Sequence, residues 1–152
     1  MEQHEAGPYL QSAFFCERLL QEADGVFSAI RIVDTITAEV PEQSSQTEMP
    51  RVAVNLTMFI VLKAGQARGN YELMVTMEPP SEISSTHPSE GYTQLIVFEG
   101  EEDRGNTIIM PIAMNVNQEG IYWFSVYLNE RLITRVPLRV DYQGQIQKAN
   151  FQ

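Results

Sequence analysis

The sequence predicts a single-domain, all-β antiparallel sandwich of about eight strands. Three observations carry that reading. Eight apolar runs are separated by frequent turn signals, and the run from Arg51 to Lys63 alternates over its whole length. The closing stretch, Gly120 to Val140, reads as two half-buried strands joined by a short polar turn. A chain of 152 residues, 43% of them apolar, is one domain on length and needs neither disulfide nor metal to hold its core.

Taken in order, residues 1–8 are polar and read as a frayed N-terminus, 9–142 as the sandwich and 143–152 as a C-terminal tail. Tyr9 to Ala23 admits a helix with Gly25 as its stop, or a strand through Phe14, Phe15 and Cys16. The strand is preferred because Asp24-Gly25 is a strong turn dipeptide. Val26 to Ile36 alternates Val26, Ser28, Ile30 and Ile32 and is expected to be one strand. Ala38 to Pro50, rich in Glu, Ser, Gln and Pro, is expected to be an exposed loop. In Arg51 to Lys63 the residues Val52, Val54, Leu56, Met58, Ile60 and Leu62 share one face. A Gly-bearing turn then leads into Tyr71, Leu73, Val75 and Met77. Pro79 to Tyr92 is a long loop, of the kind that is either functional or flexible. Thr93 to Glu99 is a short strand, Gly100 to Gly105 an acidic turn, and Asn106 to Val116 a strand. Pro111 cannot donate to a ladder, so that last strand must be an edge or carry a bulge.

The final hairpin allows a sharper expectation. Tyr122, Phe124, Val126 and Leu128 form one apolar row, and Leu132, Thr134, Val136, Leu138 and Val140 form the other. If both rows face the core, paired residue numbers must sum to an even number. A two-residue loop pairs Leu128 with Arg131, an odd sum. A three-residue loop, Asn129 to Arg131, pairs Leu128 with Leu132 and Phe124 with Val136. The three-residue loop is therefore expected, with Arg131 or a neighbour at positive φ.

Charge and cysteine usage narrow the function classes. Net charge is -10, and the acidity lies in the first 119 residues. Such a field disfavours nucleic acid, whose binders neutralise phosphates with Lys and Arg, and disfavours an anionic membrane surface. The most apolar stretch, Val52 to Leu62, is about half the ~20 residues of a membrane-spanning helix. Met1 to Glu5 is acidic with no apolar h-region behind it, so no signal peptide is expected. The lone Cys16 suits a reducing compartment. A soluble, cytoplasmic protein is the expectation.

Three pieces resemble one family. Phe14-Phe15-Cys16-Glu17 is followed by Asp24-Gly25 and a strand ending Ile32-Val33-Asp34. The long Val52 to Leu62 strand leads through a glycine turn into Tyr71-Glu72-Leu73. Gly120-Ile121-Tyr122-Trp123-Phe124 precedes a short turn and the close Val136-Pro137-Leu138-Arg139-Val140. The arrangement resembles a family of uncharacterised bacterial proteins, a domain of unknown function with an immunoglobulin-like sandwich, over about Phe14 to Val140. The resemblance implies a strand at Phe14 to Glu17 and supplies no catalytic residue. Its final turn usually looks like Asp-Gly, where this chain has Asn129-Glu130-Arg131.

Few residues could do chemistry. His4 and His87 lie in the terminus and a loop, and zinc spacings such as Cys-x-x-Cys are absent. Cys16 could pair with His87 only if the fold joined them; a buried cysteine acting as a small hydrophobe is the simpler reading. Glu99, Glu101, Glu102 and Asp103 read as a solvated patch, without an EF-hand pattern. Gly100 and Gly105 frame no phosphate loop, and the Asn55-Leu56-Thr57 sequon falls in a strand. No catalytic, metal or cofactor site is expected, and no cofactor.

One feature rises above background. If Tyr122, Phe124, Val126 and Leu128 face inward, Trp123 and Tyr127 face outward, with Arg135 opposite Ser125 and between the two rings. Such a cation–π patch, extended by Arg139, has the composition of a binding hot spot. The bland reading is that the two aromatics are covered by a loop or the C-terminal tail. The leading functional expectation is a non-catalytic protein-interaction or scaffold module, self-association included, using Trp123, Tyr127, Arg135 and Arg139. The second is a small-ligand or carbohydrate-binding sandwich using Trp123 and Tyr127, rimmed by Pro79 to Tyr92. An enzyme is third.

Overall fold

A computed structural model describes residues 6–40, 51–81 and 91–144. They form nine strands and no helix: β1 (Tyr9–Gln21), β2 (Phe27–Val33), β3 (Thr35–Val40), β4 (Val52–Lys63), β5 (Gly69–Glu78), β6 (Tyr92–Phe98), β7 (Gly105–Val116), β8 (Gly120–Leu128) and β9 (Arg131–Gly144). Two sheets face each other, one ordered β2-β1-β4-β7 and the other β3-β9-β8-β5-β6. The all-β sandwich is thus as expected, and the ambiguous first segment is the strand β1.

The core lies where the alternation placed it. On β4 the inward row Val54, Leu56, Met58, Ile60 and Leu62 is buried, and it meets Tyr122, Phe124, Val126 and Leu128 from the opposite sheet. Phe15 bridges the layers, its ring 4.9 Å from that of Phe124 and edge-on to it. Each such side chain removed from water contributes about 1.5–3 kcal/mol. β7 is an edge strand, which is how Pro111 is tolerated: the N–H it lacks would face away from the ladder. Gly105, where β7 begins opposite Lys63, must be glycine because a Cβ there would overlap the Leu62 carbonyl.

Three expectations need correction. Val26 to Ile36 is not one strand. β2 pairs antiparallel with β1 in the first sheet, whereas β3 pairs parallel with β9 in the second. The chain changes sheets at Asp34, whose carbonyl accepts the N–H of Arg139 at 2.9 Å. Alternation reports which side of a strand is covered and not which sheet it joins. Ala38 to Val40, expected in a loop, continues β3 as far as Gly144 on β9, and Ala38 is buried. Residues 41–50 and 82–90, within the other expected loop segments, lie outside the described residues.

The third correction concerns the hairpin. Leu128 pairs with Arg131 across a two-residue turn, with Asn129 at φ 47° and Glu130 at φ 65°. Two consecutive left-handed residues give a turn whose twist matches the flanking strands. The odd sum is then repaired by a bulge. Tyr127 pairs with Leu132 but Val126 with Thr134, leaving Ile133 as the extra residue. Below the bulge Phe124 faces Val136, as expected. Leu132, expected in the core, is turned out and 47% exposed, while Ile133 packs against the core in its place.

The outer side of β4 is covered as well. Cys16 and Phe59 are buried but stand apart from the main core. The Phe59 ring packs at a tilt against Phe14, with centres 5.3 Å apart, and against Phe27, at 5.6 Å. Phe27 pairs with Gln21, seven residues along β1 from Phe14, the partner of Phe59. A straight ribbon would separate them by roughly 23 Å at 3.3 Å per residue, so the β1–β2 ribbon curls back over β4. Arg31, at φ 54° and held to Glu17 by a 2.8 Å ion pair, lies within the curl.

Candidate interaction surface

The outer face of the five-stranded sheet is built by register. β8 sits between β5 and β9, so Trp123 has Glu78 on one side and Pro137 on the other. Ser125 lies between Thr76 and Arg135, and Tyr127 between Met74 and Leu132. The Arg135 guanidinium carbon stands 4.6 Å from the centre of the Trp123 ring. Its Nη2 also donates to the Glu78 carboxylate at 3.3 Å. Ser125 beneath is 2% exposed, and Trp123 and Tyr127 are half-buried.

The register brings the expected residues to one face, and two of them into contact. Trp123 and Arg135 stack. Tyr127 faces Leu132, because the bulge advances β9 by one residue there. Arg139 lies opposite Ile121, with its guanidinium 4.0 Å from Asp141. Three participants escaped the sequence reading: Glu78, Met74 and Leu132. Alternation along β5 sets Glu78 opposite in parity to Met77, yet only the β5–β8 pairing brings it to Trp123.

Elsewhere, the described residues considered for chemistry do not converge. Cys16 is fully buried, and that burial pushes its thiol above the ordinary value, against a smaller opposing effect of a backbone hydrogen bond with Arg18. His4 and His87 lie outside the described residues. Glu99, Glu101, Glu102 and Asp103 are all exposed. Among the described residues no group of three or more His, Cys, Asp or Glu side chains is placed to hold a metal. Among the described residues, clefts open between the sheets. One, of about 430 Å³, lies among Pro8, Tyr9, Tyr71, Asn129 and Ile133. A smaller one, of about 280 Å³, is lined by Phe14, Ile32, Val136 and Pro137.

At the opposite end of β8, Tyr122 is tied to the turn that precedes it. Its hydroxyl donates to the Gln118 carbonyl at 2.8 Å, four residues upstream. Burial first, then the neighbouring Tyr142, pushes the Tyr122 phenol up, and burial with the nearby Glu119 carboxylate does the same to Tyr142.

Residues 11–141 match the model of a family of unknown function, DUF6941. No curated protein matches the chain significantly.

Proposed function

Because the chain belongs to that family, its activity has to be argued from its surface, and we propose a non-catalytic protein-interaction module that docks through the outer face of the five-stranded sheet. Self-association is one form this could take. The observation that carries the reading is the stack of Arg135 on Trp123. An indole and a guanidinium held together in advance lose little freedom on binding, which is what makes such pairs hot spots. The partner this face suits offers an aliphatic side chain to Tyr127 and Leu132 and a carboxylate to Arg135. Glu78 occupies that carboxylate position in the free chain, and its pair with Arg135 is solvent-exposed. Exposed pairs are worth about 0–1 kcal/mol, so an incoming carboxylate can replace it.

A sugar or small-ligand platform at Trp123 and Tyr127 is the second reading. It is weaker, because a pyranose needs a bare ring face and Arg135 already lies over Trp123. The immunoglobulin-like form of the sandwich is also part of the proposal. Support comes from β3 crossing to pair with the last strand, and from the Tyr122 hydroxyl reaching back to the corner before β8. A tyrosine so placed is a hallmark of those sandwiches. A lone buried thiol agrees with a cytoplasmic setting.

The test is cross-linking with mass spectrometry on the chain in cells, alongside light scattering of the purified protein. Cross-links from β8 and β9 to a partner or a second copy, lost in the Trp123→Ala/Arg135→Glu double variant, are expected. A chain that stays single in both settings, or cross-links indifferent to the double variant, would end this reading.

A further inference from the structure

The four sheet edges are treated unequally. β2 is kinked by Arg31 in the left-handed region, and β7 carries Pro111 in its middle. β3 carries Glu39. These are the ordinary means by which proteins prevent an edge from pairing with another chain. β6, Tyr-Thr-Gln-Leu-Ile-Val-Phe, has no charge, no proline and no bulge, and Leu95 on its outer face is 67% exposed.

The direction of its backbone groups follows from two separate contacts. The Asn106 side chain donates to the Val97 carbonyl at 3.0 Å, so the N–H and C=O of Val97 point away from β5. On β5, Glu72 exchanges hydrogen bonds with Asn129 beyond the end of β8, so Glu72 points away from β6. Both place the β5–β6 bonds on Tyr71, Leu73, Gln94 and Ile96. Thr93, Leu95 and Val97 are therefore the outward set. Asn106 closes that edge at Val97, and nothing among the described residues bonds the N–H or C=O of Thr93 or Leu95.

We infer that β6 accepts an extended, basic segment of a partner protein as an added antiparallel strand. This rests on the interaction-module reading and names the chemistry of the partner. Backbone bonds to Thr93 and Leu95 supply affinity, and an apolar side chain beside Leu95 adds specificity. Charge selects the occupant. Glu99, Glu101, Glu102 and Asp103 follow directly on β6 and are exposed, and an antiparallel strand brings its N-terminal side to them. Lys or Arg residues just ahead of the paired stretch meet that turn. A second copy of this chain, with net charge -10, meets repulsion instead.

The probe is a synthetic peptide, Lys-Arg-Lys-Thr-Val-Thr-Val-Thr, against the same peptide with Glu in the three basic positions. Amide exchange is followed by NMR, and Trp123 fluorescence reports on the other face. At saturating basic peptide, the amides of Thr93 and Leu95 should slow at least tenfold, with the Trp123 emission unchanged. The acidic peptide should bind at least tenfold more weakly. Leu95→Pro deletes an outward N–H without touching the β5 ladder and should abolish protection. Leu95→Lys, which keeps the N–H, should weaken binding tenfold, which guards against a folding failure of the proline variant. Equal binding of both peptides, protection located elsewhere, or a β6–β6 dimer without peptide would overturn the inference. Binding that moves only Trp123 would overturn it while leaving the interaction-module reading intact.

Discussion

Glu130 is the residue whose replacement should most directly report on the hairpin. It sits at φ 65° behind Asn129 at φ 47°, in a turn with positive φ at both central positions. A residue with a Cβ pays roughly 1–2 kcal/mol in the left-handed region. Glycine does not, but it gives up roughly 0.5–1 kcal/mol more chain entropy on folding. Among the described residues, neither the side-chain hydrogen bonds nor the ion pairs involve the Glu130 carboxylate, so no such contact is lost there. Glu130→Gly should therefore stabilise the fold by about 0.5–1 kcal/mol. For a domain of this size that raises Tm by about 1–4 °C. Asn129 must stay: its side-chain oxygen accepts the Glu72 N–H at 2.8 Å and its own N–H donates back at 2.9 Å. The assay is thermal and urea unfolding of Glu130→Gly beside Arg131→Gly, a strand position without positive φ, where glycine should destabilise. A lower midpoint for Glu130→Gly, or equal losses for both, would show that the turn does not hold these angles in solution.

Three further outcomes are expected. Burial raises the Cys16 thiol above its ordinary value, so the protonated form is favoured in the folded chain. Its contribution is complete below pH 9 and is lost as pH rises, by at most ~1.4 kcal/mol per pH unit; urea titrations from pH 8 to 10 should show a slope that Cys16→Ala flattens. Tyr122→Phe removes the hydroxyl that donates to Gln118 and should cost about 0.5–1.5 kcal/mol, the net worth of one hydrogen bond, read as a lower urea midpoint at unchanged m-value. Phe27→Ala should cost about 1–2 kcal/mol, below the roughly 3–5 of a fully buried Phe. It should also speed thiol labelling of Cys16 at least tenfold, since the curled ribbon loses its anchor on Phe59.

Strands with an unbroken period of two were legible one by one. β4 could be read residue by residue because five consecutive inward positions are apolar, and Pro111 announced its edge through the N–H it lacks. What escaped were matters of neighbourhood. The crossing at Asp34 leaves no mark on the local period, since Ile32 and Ile36 keep the same parity on either side of it. The curl of β1–β2 was hidden for a related reason: Phe14 and Phe59 pack on each other outside the main core, and the return of Phe27 onto Phe59 joins residues far apart along the ribbon. At the candidate surface, the Trp123–Arg135 contact followed from parity within one hairpin. Glu78 could not follow, because it comes from a strand more than forty residues earlier. Its place depends on β5 lying beside β8.

The bulge at Ile133 connects the fold to that surface. With the two-residue turn alone, every pair would keep the sum of Leu128 and Arg131. Arg135 would then stand opposite Phe124, on the buried side, where an unpaired guanidinium is far too costly to desolvate. The extra residue moves Arg135 opposite Ser125 and returns Leu138 and Val140 to the core, both fully buried. Deleting Ile133 takes out the extra residue and leaves Leu128–Arg131, Tyr127–Leu132, Val126–Thr134 and Ser125–Arg135 paired across the same two-residue turn without any bulge. That variant should unfold cooperatively, with the Trp123 emission of the parent chain, and lose only the packing of the Ile133 side chain. If it loses cooperative unfolding, or its Trp123 emission shifts, the turn does not set the register of the hairpin, and the placement of Arg135 needs another cause.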